Sequence, residues 1–240
     1  MSVRIGQASL GESGAHNQQA GNQNSRELNF SNWYNGSWLF VLRYNDRAKA
    51  ELAARACEAA VRNQNIGYDQ DQRNTLRTQA KALNWDIAAI SEPCETDCSA
   101  LMCVCAEAAG VNFSPQYYGG NACTTYNMGT AFPATGDFVK LQGDKYTKSD
   151  GYLLRGDVLV SSGHTVMVLE DGLNAKGERE MRYEKLRDVN NTLYRQTLDK
   201  LIAKGFLTGK SGEGEDMILD LAEDNVRMLV ILDRTGVFGD

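Results

Sequence analysis

The residues with the greatest potential for chemistry lie in segment 92–110, EPCETDCSALMCVCAEAAG, which holds four of the six cysteines. Such a cluster is compatible with a metal site, disulfide bonds, a buried helix or a single reactive thiol. Cys103 and Cys105 are two positions apart, so on a helix they point roughly 160° away from each other and cannot share a metal ion. The chain has only two histidines and no Cys-x2-Cys pair, so we expect no metal.

Cys98 is the cysteine whose position favours reactivity. Thr96 and Asp97, both good helix-capping residues, come directly before it, and the helix pattern then continues to Gly110. A thiol in the first turn of a helix lies near unpaired backbone N–H groups and the positive end of the helix dipole. Both favour the thiolate, and the N–H groups can also stabilise an oxyanion. We therefore predict that Cys98 lies at an open helix end with a thiol that ionises readily.

The other cysteines of this part of the chain have more ordinary interpretations. Cys57, Cys103 and Cys105 lie within helical, alanine-rich segments and are predicted to be small buried core residues. Cys94 stays unassigned. Because the chain begins without a secretory signal pattern, six cysteines favour reduced thiols over a disulfide scaffold.

A nucleophilic cysteine needs a base, and the chain offers His16 and His164. His16 lies in a polar segment, where a surface position is expected. His164 begins an apolar run after a glycine turn, on the same strand face as Val166 and Val168. A histidine on an inward strand face is usually a core residue. Here it follows a helix-capping cysteine, in the order helix and then hairpin, and this order favours His164 as the base.

The N-terminal 45 residues form a polar arm rich in Gly, Asn, Gln and Ser, which predicts loops, with one short strand in SWLFVLRY. Two interpretations stay open for this arm. It is either a flexible tail followed by a strand, or an ordered arm in which Trp33, Tyr34 and Trp38 line a carbohydrate- or peptide-binding surface.

Two helices are predicted between the polar arm and the cysteine cluster. The segment NDRAKAELAARACEAAVRN opens with an Asn/Asp cap and consists almost entirely of strong helix formers. A second helix is predicted from about Asp71 to Leu83, with Leu76, Ala80 and Leu83 on its inner face.

A β-hairpin is predicted in GYLLRGDVLVSSGHTVMVLEDG, because two apolar runs are separated by SSG and closed by a turn at Asp171–Gly172. One more strand is expected in NAKGEREMRYEKLRDVNN. The last fifty residues predict two helices, NTLYRQTLDKLIAKG and GEGEDMILDLAEDNVRMLVILDRTG. Such a pair packs on the main domain or on a second copy of the chain, so self-association through these helices is possible.

The bulk properties limit the function classes. A chain of 240 residues accommodates one core and a small appendage, and we assign 1–180 to the main domain and 181–240 to a helical appendage. A net charge of −6 without a basic run argues against nucleic acid as a partner. The longest apolar runs, WLFVL and MLVILD, are too short for membrane insertion. We expect synthesis in the cytoplasm without a signal peptide.

Three segments together resemble a known family. They are DCSALMCVCAEAAGV, LLRGDVLVSSGHTVMVL and NIGYDQDQRNTL, within residues 65–172. They resemble the NlpC-type cell-wall peptidases and the related CHAP amidohydrolases, and most of all the catalytic modules of endolysins from phages of Gram-positive bacteria. The resemblance implies a papain-like α+β fold, with N-terminal helices packed on a small antiparallel sheet and the C-terminal helical pair added to it.

The resemblance also implies roles for individual residues. Cys98 would be the nucleophile, and His164 the general base that later returns its proton to the leaving amine. Tyr68 and Asp97 would lie at the oxyanion or substrate site. No cofactor is implied.

The residue that orients the imidazole is where the chain departs from the family. Many members place a second histidine about a dozen residues after the first, and none is present here. Asn174 is the nearest amide and is our predicted third catalytic residue. Glu170 and Asp171 are alternatives.

The implied activity is hydrolysis of a peptidoglycan amide through a thioester at Cys98. The bond is either the muramoyl-alanine bond or one in the stem peptide or cross-bridge. An enzyme of this kind reaches the cell wall through a holin pore or with the phage particle. Two alternatives stay open: a noncatalytic cell-wall or assembly module, and a papain-like transferase or toxin that acts on a protein amide.

Overall fold

The computed structural model describes residues 2–9, 27–113, 120–175 and 182–239. It divides into two compact units, Met1–Ala175 and Lys176–Asp240, whereas the prediction placed the division after residue 180. The fold is α+β with an antiparallel sheet, as expected. His16 and the rest of segment 10–26 lie outside the described residues.

The N-terminal unit combines short strands with helices. Its strands are β1 (Arg4–Ala8), β2 (Leu28–Asn32), β3 (Phe40–Tyr44), β4 (Ile66–Tyr68), β5 (Cys94–Thr96), β6 (Phe138–Leu141), β7 (Val158–Val160) and β8 (Thr165–Val168). Its helices include α1 (Arg47–Arg62), α2 (Thr75–Ala82), α3 (Cys98–Ala108), α4 (Thr125–Ala131) and α5 (Asp144–Thr147). Strands β2-β1-β8-β7-β3-β6 form one antiparallel sheet in that order, and β4 pairs with β5 in parallel.

The sheet lies between two apolar clusters, as strand alternation requires. On β8, Met167 belongs to the cluster that contains α1 and α3, and Val166 and Val168 belong to the cluster on the other face. Gly6 of β1 shows how closely α1 approaches, because a Cβ there would lie 2.7 Å from the Cys57 sulfur. The sheet and these two helices therefore form one core.

The N-terminal arm differs from the prediction of loops. Arg4–Ala8 is a strand inside the sheet, between β2 and β8, and Leu28–Asn32 is a further strand. Their apolar residues are few and separated by Gly, Gln and Asn, so the apolar alternation is weak in the sequence. Backbone hydrogen bonds to β8 and β2, which do not depend on side-chain type, complete the pairing.

The first predicted helix is confirmed as α1, with the Asp46 carboxylate accepting a hydrogen bond from the Ala48 N–H at 2.7 Å. The second is shorter than predicted, because Asp69 closes a turn over Asp71 and the helix begins only at Thr75. Leu83, predicted on its inner face, lies beyond the helix and is 37% exposed.

The predicted hairpin is confirmed as β7 and β8. Gly156 at its start has a φ of +90°, and a Cβ there would lie 2.7 Å from the Ala50 carbonyl oxygen of α1. Asp157 is fully buried and accepts hydrogen bonds from the Arg43 guanidinium, at 2.6 Å from Nη2, and from the Leu154 N–H at 2.8 Å. The Gly-Asp pair therefore anchors the hairpin to α1 and β3.

The C-terminal unit contains β9 (Arg182–Lys185), α6 (Thr192–Ala203), β10 (Ile218–Ala222) and α7 (Glu223–Arg234). The extra strand in its first part and the first helix are confirmed as β9 and α6. The second predicted helix is wrong at its start, because Ile218–Ala222 pairs with β9 as an antiparallel strand. Helix α7 exposes Met228 and Ile231, and self-association through this unit stays a prediction.

No helix among the described residues is both long enough and apolar enough to cross a membrane.

Candidate active site

Cys98 is the first residue of α3, directly after β5 and the cap Asp97. The Asp97 carboxylate accepts a hydrogen bond from the Ala100 N–H at 2.7 Å, as the capping pattern predicted. Across the site, α3 packs on β8, and the Thr165 N–H at the start of β8 is close enough to the Cys98 thiol to favour its thiolate. The fold therefore brings Cys98 beside the residue that follows His164, although the two lie 66 positions apart in the chain.

The environment of Cys98 differs from the predicted open helix end. The residue is only 6% exposed. Burial and, to a smaller degree, the Asp97 carboxylate raise the pKa of Cys98 to about 12, although the Thr165 and Ser99 N–H groups and Arg73 act in the opposite direction. The prediction of a readily ionised thiol is therefore wrong for this state of the site. The positive end of the helix dipole lies next to the cap residue Asp97, and the Asp97 carboxylate already supplies the negative charge that the dipole favours.

His164 and Cys98 line two adjoining clefts. The first cleft, of about 470 Å³, is lined by Gln7, Ser9, Tyr34, Tyr68, Gln70, Gly163 and His164. The second, of about 290 Å³, is lined by Gln70, Arg73, Asp97, Cys98, Ser99, Thr124, Thr125 and Gly163. Gln70 and Gly163 belong to both, so a ligand that occupied both would contact the thiol and the imidazole.

Burial lowers the pKa of His164 below its usual value of 6.5, so the imidazole is neutral at pH 7. The thiol of Cys98 is neutral as well, because its pKa is about 12. Among the described contacts there is no hydrogen bond between these two side chains. Hydrogen bonds between catalytic groups commonly tighten only in the complex with substrate. The site therefore holds a neutral thiol and a neutral imidazole.

Gln7 of β1 holds the imidazole of His164. Its Oε1 lies 2.9 Å from His164 Nε2 and also accepts a hydrogen bond from the Tyr34 hydroxyl at 3.2 Å. Its Nε2 donates to Asn29 Oδ1 at 3.0 Å, which fixes the orientation of the amide. Because Oε1 only accepts, His164 carries its hydrogen on Nε2, and Nδ1 is the basic nitrogen.

Asn174, the predicted third residue, lies at the other end of β8 from His164. Its Nδ2 is next to Gly151, where a Cβ would be 2.9 Å away. Glu170 is near Arg4, with a closest distance of 3.6 Å, and Asp171 accepts a hydrogen bond from the Arg155 N–H at 2.7 Å. In this structure the partner of the imidazole is Gln7, because the strand Thr165–Val168 separates His164 from all three predicted candidates.

Tyr68 reaches the site through the parallel pairing of β4 and β5, in which it is opposite Thr96. Its hydroxyl accepts a hydrogen bond from Gln70 Nε2 at 3.1 Å. Burial raises the pKa of Tyr68, and the nearby Cys98 raises it further, so the phenol keeps its proton. Tyr68 can therefore donate a hydrogen bond into the cleft.

Arg73 is a buried residue of the site that sequence patterns did not indicate, because it fell inside the helix predicted from Asp71. Its guanidinium contacts both Asp97 oxygens, at 2.5 and 3.0 Å, and Ser99 Oγ at 2.8 Å. It also donates to two carbonyl oxygens, those of Ala122 at 2.9 Å and Cys123 at 2.7 Å. Arg73 therefore joins the start of α3 to the segment before α4. It also forms an ion pair that engages both carboxylate oxygens of Asp97.

The aromatic residues of the arm flank His164. Tyr34 and Trp38 have ring centroids 5.5 Å apart, and the Trp38 ring centroid lies 6.4 Å from that of His164. Tyr34 is 39% exposed at the rim of the cleft. For residues 27–45 the ordered interpretation of the arm therefore applies, and a carbohydrate- or peptide-binding role stays a prediction.

Glu95 of β5 is a fully buried carboxyl group next to the site. Neither of its oxygens has a hydrogen-bond partner in the described structure, and a Cβ on Gly67 would lie 2.6 Å from one oxygen and 3.1 Å from an oxygen of Glu27. Burial, Glu27 and Asp69 raise the pKa of Glu95 to about 8. Two carboxyl groups that converge in this way favour a protonated state for one of them.

The raised pKa of Glu95 predicts a pH-dependent stability. The contribution of the protonated Glu95 carboxyl to the free energy of unfolding is fully present below about pH 4.5, the pKa of this group in the unfolded chain. It is lost as the pH rises through about 8, the pKa of this group in the folded protein. We expect Glu95→Gln to leave the unfolding midpoint nearly unchanged at pH 5 and to raise stability by roughly 3–5 kcal/mol at pH 9. Denaturant unfolding at both pH values checks this. The exposed Glu92→Gln is the control, and an equal effect of Glu95→Gln at both pH values would contradict the prediction.

Among the described residues, no group of three or more His, Cys, Asp or Glu side chains is arranged to hold a metal ion.

Residues 5–175 match the family model of the endolysin-like domain. The chain belongs to the endolysin-like domain family. The matched residues include Gln7, Cys98 and His164. No curated protein and no solved structure matches the chain. The family indicates a phage-type cell-wall lytic function with peptidoglycan as the substrate.

Proposed function

We propose that this endolysin-like protein is a cysteine-dependent amidohydrolase of the NlpC/CHAP type that cleaves an amide bond of peptidoglycan. The observation that carries the proposal is the contact between the start of α3 and the start of β8. Helix α3 packs on β8, the nearby Thr165 N–H favours the thiolate of Cys98, and His164 is the residue before Thr165. A cysteine at a capped helix start, packed against an antiparallel strand that directly follows a histidine, supports this enzyme type.

The first half-reaction forms a thioester. His164 Nδ1 accepts the proton of Cys98 as the sulfur attacks the carbonyl carbon of the scissile amide. Because both groups are neutral at rest, proton transfer accompanies the attack. The Tyr68 hydroxyl and backbone N–H groups at the start of α3 stabilise the oxyanion. Protonated His164 then gives its proton to the leaving amine.

The second half-reaction releases the acid. Neutral His164 accepts a proton from a water molecule, which attacks the thioester carbonyl, and the thiol of Cys98 is restored. Gln7 accepts a hydrogen bond from His164 Nε2 in both halves and stabilises the imidazolium. Asp97 and Arg73 contact each other and hold the start of α3 in position, and neither acts on the substrate.

The chemistry of the products tests the proposed function. Purified Gram-positive peptidoglycan is incubated with the protein, its turbidity is followed, and the soluble fragments are analysed by mass spectrometry. We expect new primary amines and no new reducing sugar ends. Free N-terminal alanine would identify the muramoyl-alanine bond, and other amino termini would identify a bond in the stem peptide. New reducing ends without new amines would contradict the proposal.

The two alternatives give different outcomes in the same experiment. A noncatalytic cell-wall or assembly module binds peptidoglycan and releases no amines. A transferase or toxin that acts on a protein amide leaves peptidoglycan intact but reacts with thiol-directed inhibitors.

Gln7→Ala is expected to lower the rate of amide hydrolysis by about 10–100-fold, because a hydrogen bond to a group that becomes charged contributes roughly 1.5–3 kcal/mol. The loss falls on kcat more than on KM, since Gln7 contacts the base. Steady-state kinetics on a soluble stem-peptide substrate measures it. Asn174→Ala is the matched amide control and should retain activity. A larger loss in Asn174→Ala than in Gln7→Ala would reverse the assignment.

A further inference from the structure

The cleft of His164 is lined by side chains without charge. The His164 imidazole is neutral at pH 7, and among the described residues the rest of the lining consists of glycine, serine, glutamine and tyrosine. The adjoining cleft of Cys98 contains Arg73 and Asp97, but these two neutralise each other through contacts at 2.5 and 3.0 Å. A charged ligand group in the His164 cleft would lose water without gaining a counter-charge. This cleft therefore favours a neutral ligand that carries hydroxyl and amide groups.

Tyr34 gives this cleft an aromatic ring that is held in place by three contacts. Its hydroxyl donates a hydrogen bond to Gln7 Oε1 at 3.2 Å, and its backbone carbonyl oxygen accepts one from Trp38 Nε1 at 2.8 Å. The rings of Tyr34 and Trp38 have centroids 5.5 Å apart. Trp38 is 5% exposed, whereas Tyr34 is 39% exposed and lines the cleft. A fixed, partly exposed aromatic ring can pack against the C–H face of a sugar ring at a low cost in side-chain entropy.

Gln70 adds an exposed side-chain amide where the two clefts meet. Its Nε2 donates to the Tyr68 hydroxyl at 3.1 Å, and Gln70 lines both clefts together with Gly163. Because an amide both donates and accepts hydrogen bonds, it matches the hydroxyl and acetamido groups of an N-acetylated sugar. A ring bound in the His164 cleft therefore lies directly beside the cleft that contains the Cys98 thiol.

The two sides of a peptidoglycan amide differ in charge. The glycan strand consists of N-acetylated sugars, and the lactyl carboxyl group of muramic acid is neutral because it forms the amide with alanine. The stem peptide carries free carboxyl and amino groups. A cleft with an aromatic ring, neutral polar groups and no counter-charge therefore matches the glycan side of the substrate better than the peptide side.

We infer that the His164 cleft is the subsite for the muramic acid ring, which packs on Tyr34, and that the bond cleaved is the muramoyl-alanine bond. This inference rests on the proposed hydrolase function. One lactyl group separates the sugar ring from this amide, so the amide carbonyl can meet Cys98 while the ring stays in the adjoining cleft. The thiol then forms a thioester with the muramoyl group, and its proton passes through His164 to the amino group of alanine, which leaves. Water releases the muramic acid carboxylate and restores the thiol.

Binding to the full-length Cys98→Ala protein tests the subsite without hydrolysis. Two ligands carry the same alanyl peptide, which is acylated by N-acetylmuramic acid in one and by lactic acid in the other, so they differ only in the sugar ring. We expect isothermal titration calorimetry to give an affinity about 10-fold higher, or more, for the muramoyl peptide, because the ring adds an aromatic contact and hydrogen bonds. Equal affinities for the two ligands would overturn the subsite.

Substitutions of Tyr34 in the Cys98→Ala protein identify the contact. Tyr34→Ala should remove most of the preference for the muramoyl peptide, whereas Tyr34→Phe should keep it because the ring remains. Tyr126→Ala is the control, since Tyr126 is 96% exposed and does not belong to the described lining of either cleft. A preference that survives Tyr34→Ala would overturn the inference. If Tyr34→Ala does not fold, the comparison of the two ligands decides alone.

The products of the wild-type protein separate a failure of this inference from a failure of the hydrolase function. We expect mass spectrometry of digested peptidoglycan to show alanine as the new amino terminus. Other new amino termini would overturn the bond assignment and leave the hydrolase function standing. Release of no amines, together with a retained preference for the muramoyl peptide, would overturn the hydrolase function and support the subsite.

Discussion

Cys98→Ala is expected to lower the rate of peptidoglycan amide hydrolysis by about 10⁴-fold or more, because it removes the atom that forms the thioester. Cys98→Ser is expected to be nearly as inactive, since a hydroxyl of ordinary pKa is a much weaker nucleophile than a thiol. Loss of turbidity and release of amines, both measured with purified protein, check the effect. The side chain is small, so the melting temperature should change little.

Cys94→Ala is the matched control for Cys98. Cys94 is also buried, lies four positions earlier on β5, and burial raises its pKa to about 12 as well. Unlike Cys98, Cys94 does not lie at the start of α3 and does not line the cleft that contains Cys98. Activity of Cys94→Ala should stay close to that of the wild-type protein. A Cys98→Ala protein that lysed cell walls at the wild-type rate would contradict the mechanism, whatever the behaviour of the control.

His164→Ala is expected to lower the rate by about 10²–10⁴-fold, the usual contribution of a positioned general base. The pH dependence adds a more specific expectation. Burial lowers the pKa of His164 below 6.5, so the wild-type rate should rise with pH through an inflection below 6.5 and then stay level. No decline is expected near neutrality, because the thiol of Cys98 ionises only near pH 12.

The pH profile separates two catalytic arrangements. A preformed thiolate–imidazolium pair loses activity when the imidazolium deprotonates, so it gives a bell-shaped profile. In His164→Ala the inflection should disappear, and added imidazole should restore part of the activity. Alkylation of Cys98 by iodoacetamide should be slow at pH 7 and accelerate with rising pH. A wild-type profile that declines near pH 7 would contradict the neutral pair.

The positions of Cys98 and His164 could be predicted because they depend on local sequence. Asp97 caps α3 through its own side chain, so the start of the helix is encoded within a few residues. The hairpin is encoded in the same way, by two apolar runs and the turn that precedes His164. The relation between helix and strand came from the resemblance to a family rather than from the local pattern.

Gln7 could not be predicted as the partner of His164. The two residues lie 157 positions apart and meet only because β1 inserts between β2 and β8. The pairing of Gly6 with Met167 places Gln7 and His164 on the same face of adjacent strands, where diagonal neighbours make contact. The polar composition of the arm conceals this strand, and Asn174 was preferred because it is close in the chain.

The sequence determined the candidate nucleophile Cys98, the helix that begins at it and the strand that follows the candidate base His164, because caps and turns act over a few residues. The tertiary structure decided the protonation state of the site. Burial outweighs the helix dipole at Cys98, since removing a charge from water costs more than a few N–H groups recover once Asp97 already caps the helix. Burial is a property of the packed chain, and no residue pattern around Cys98 encodes it.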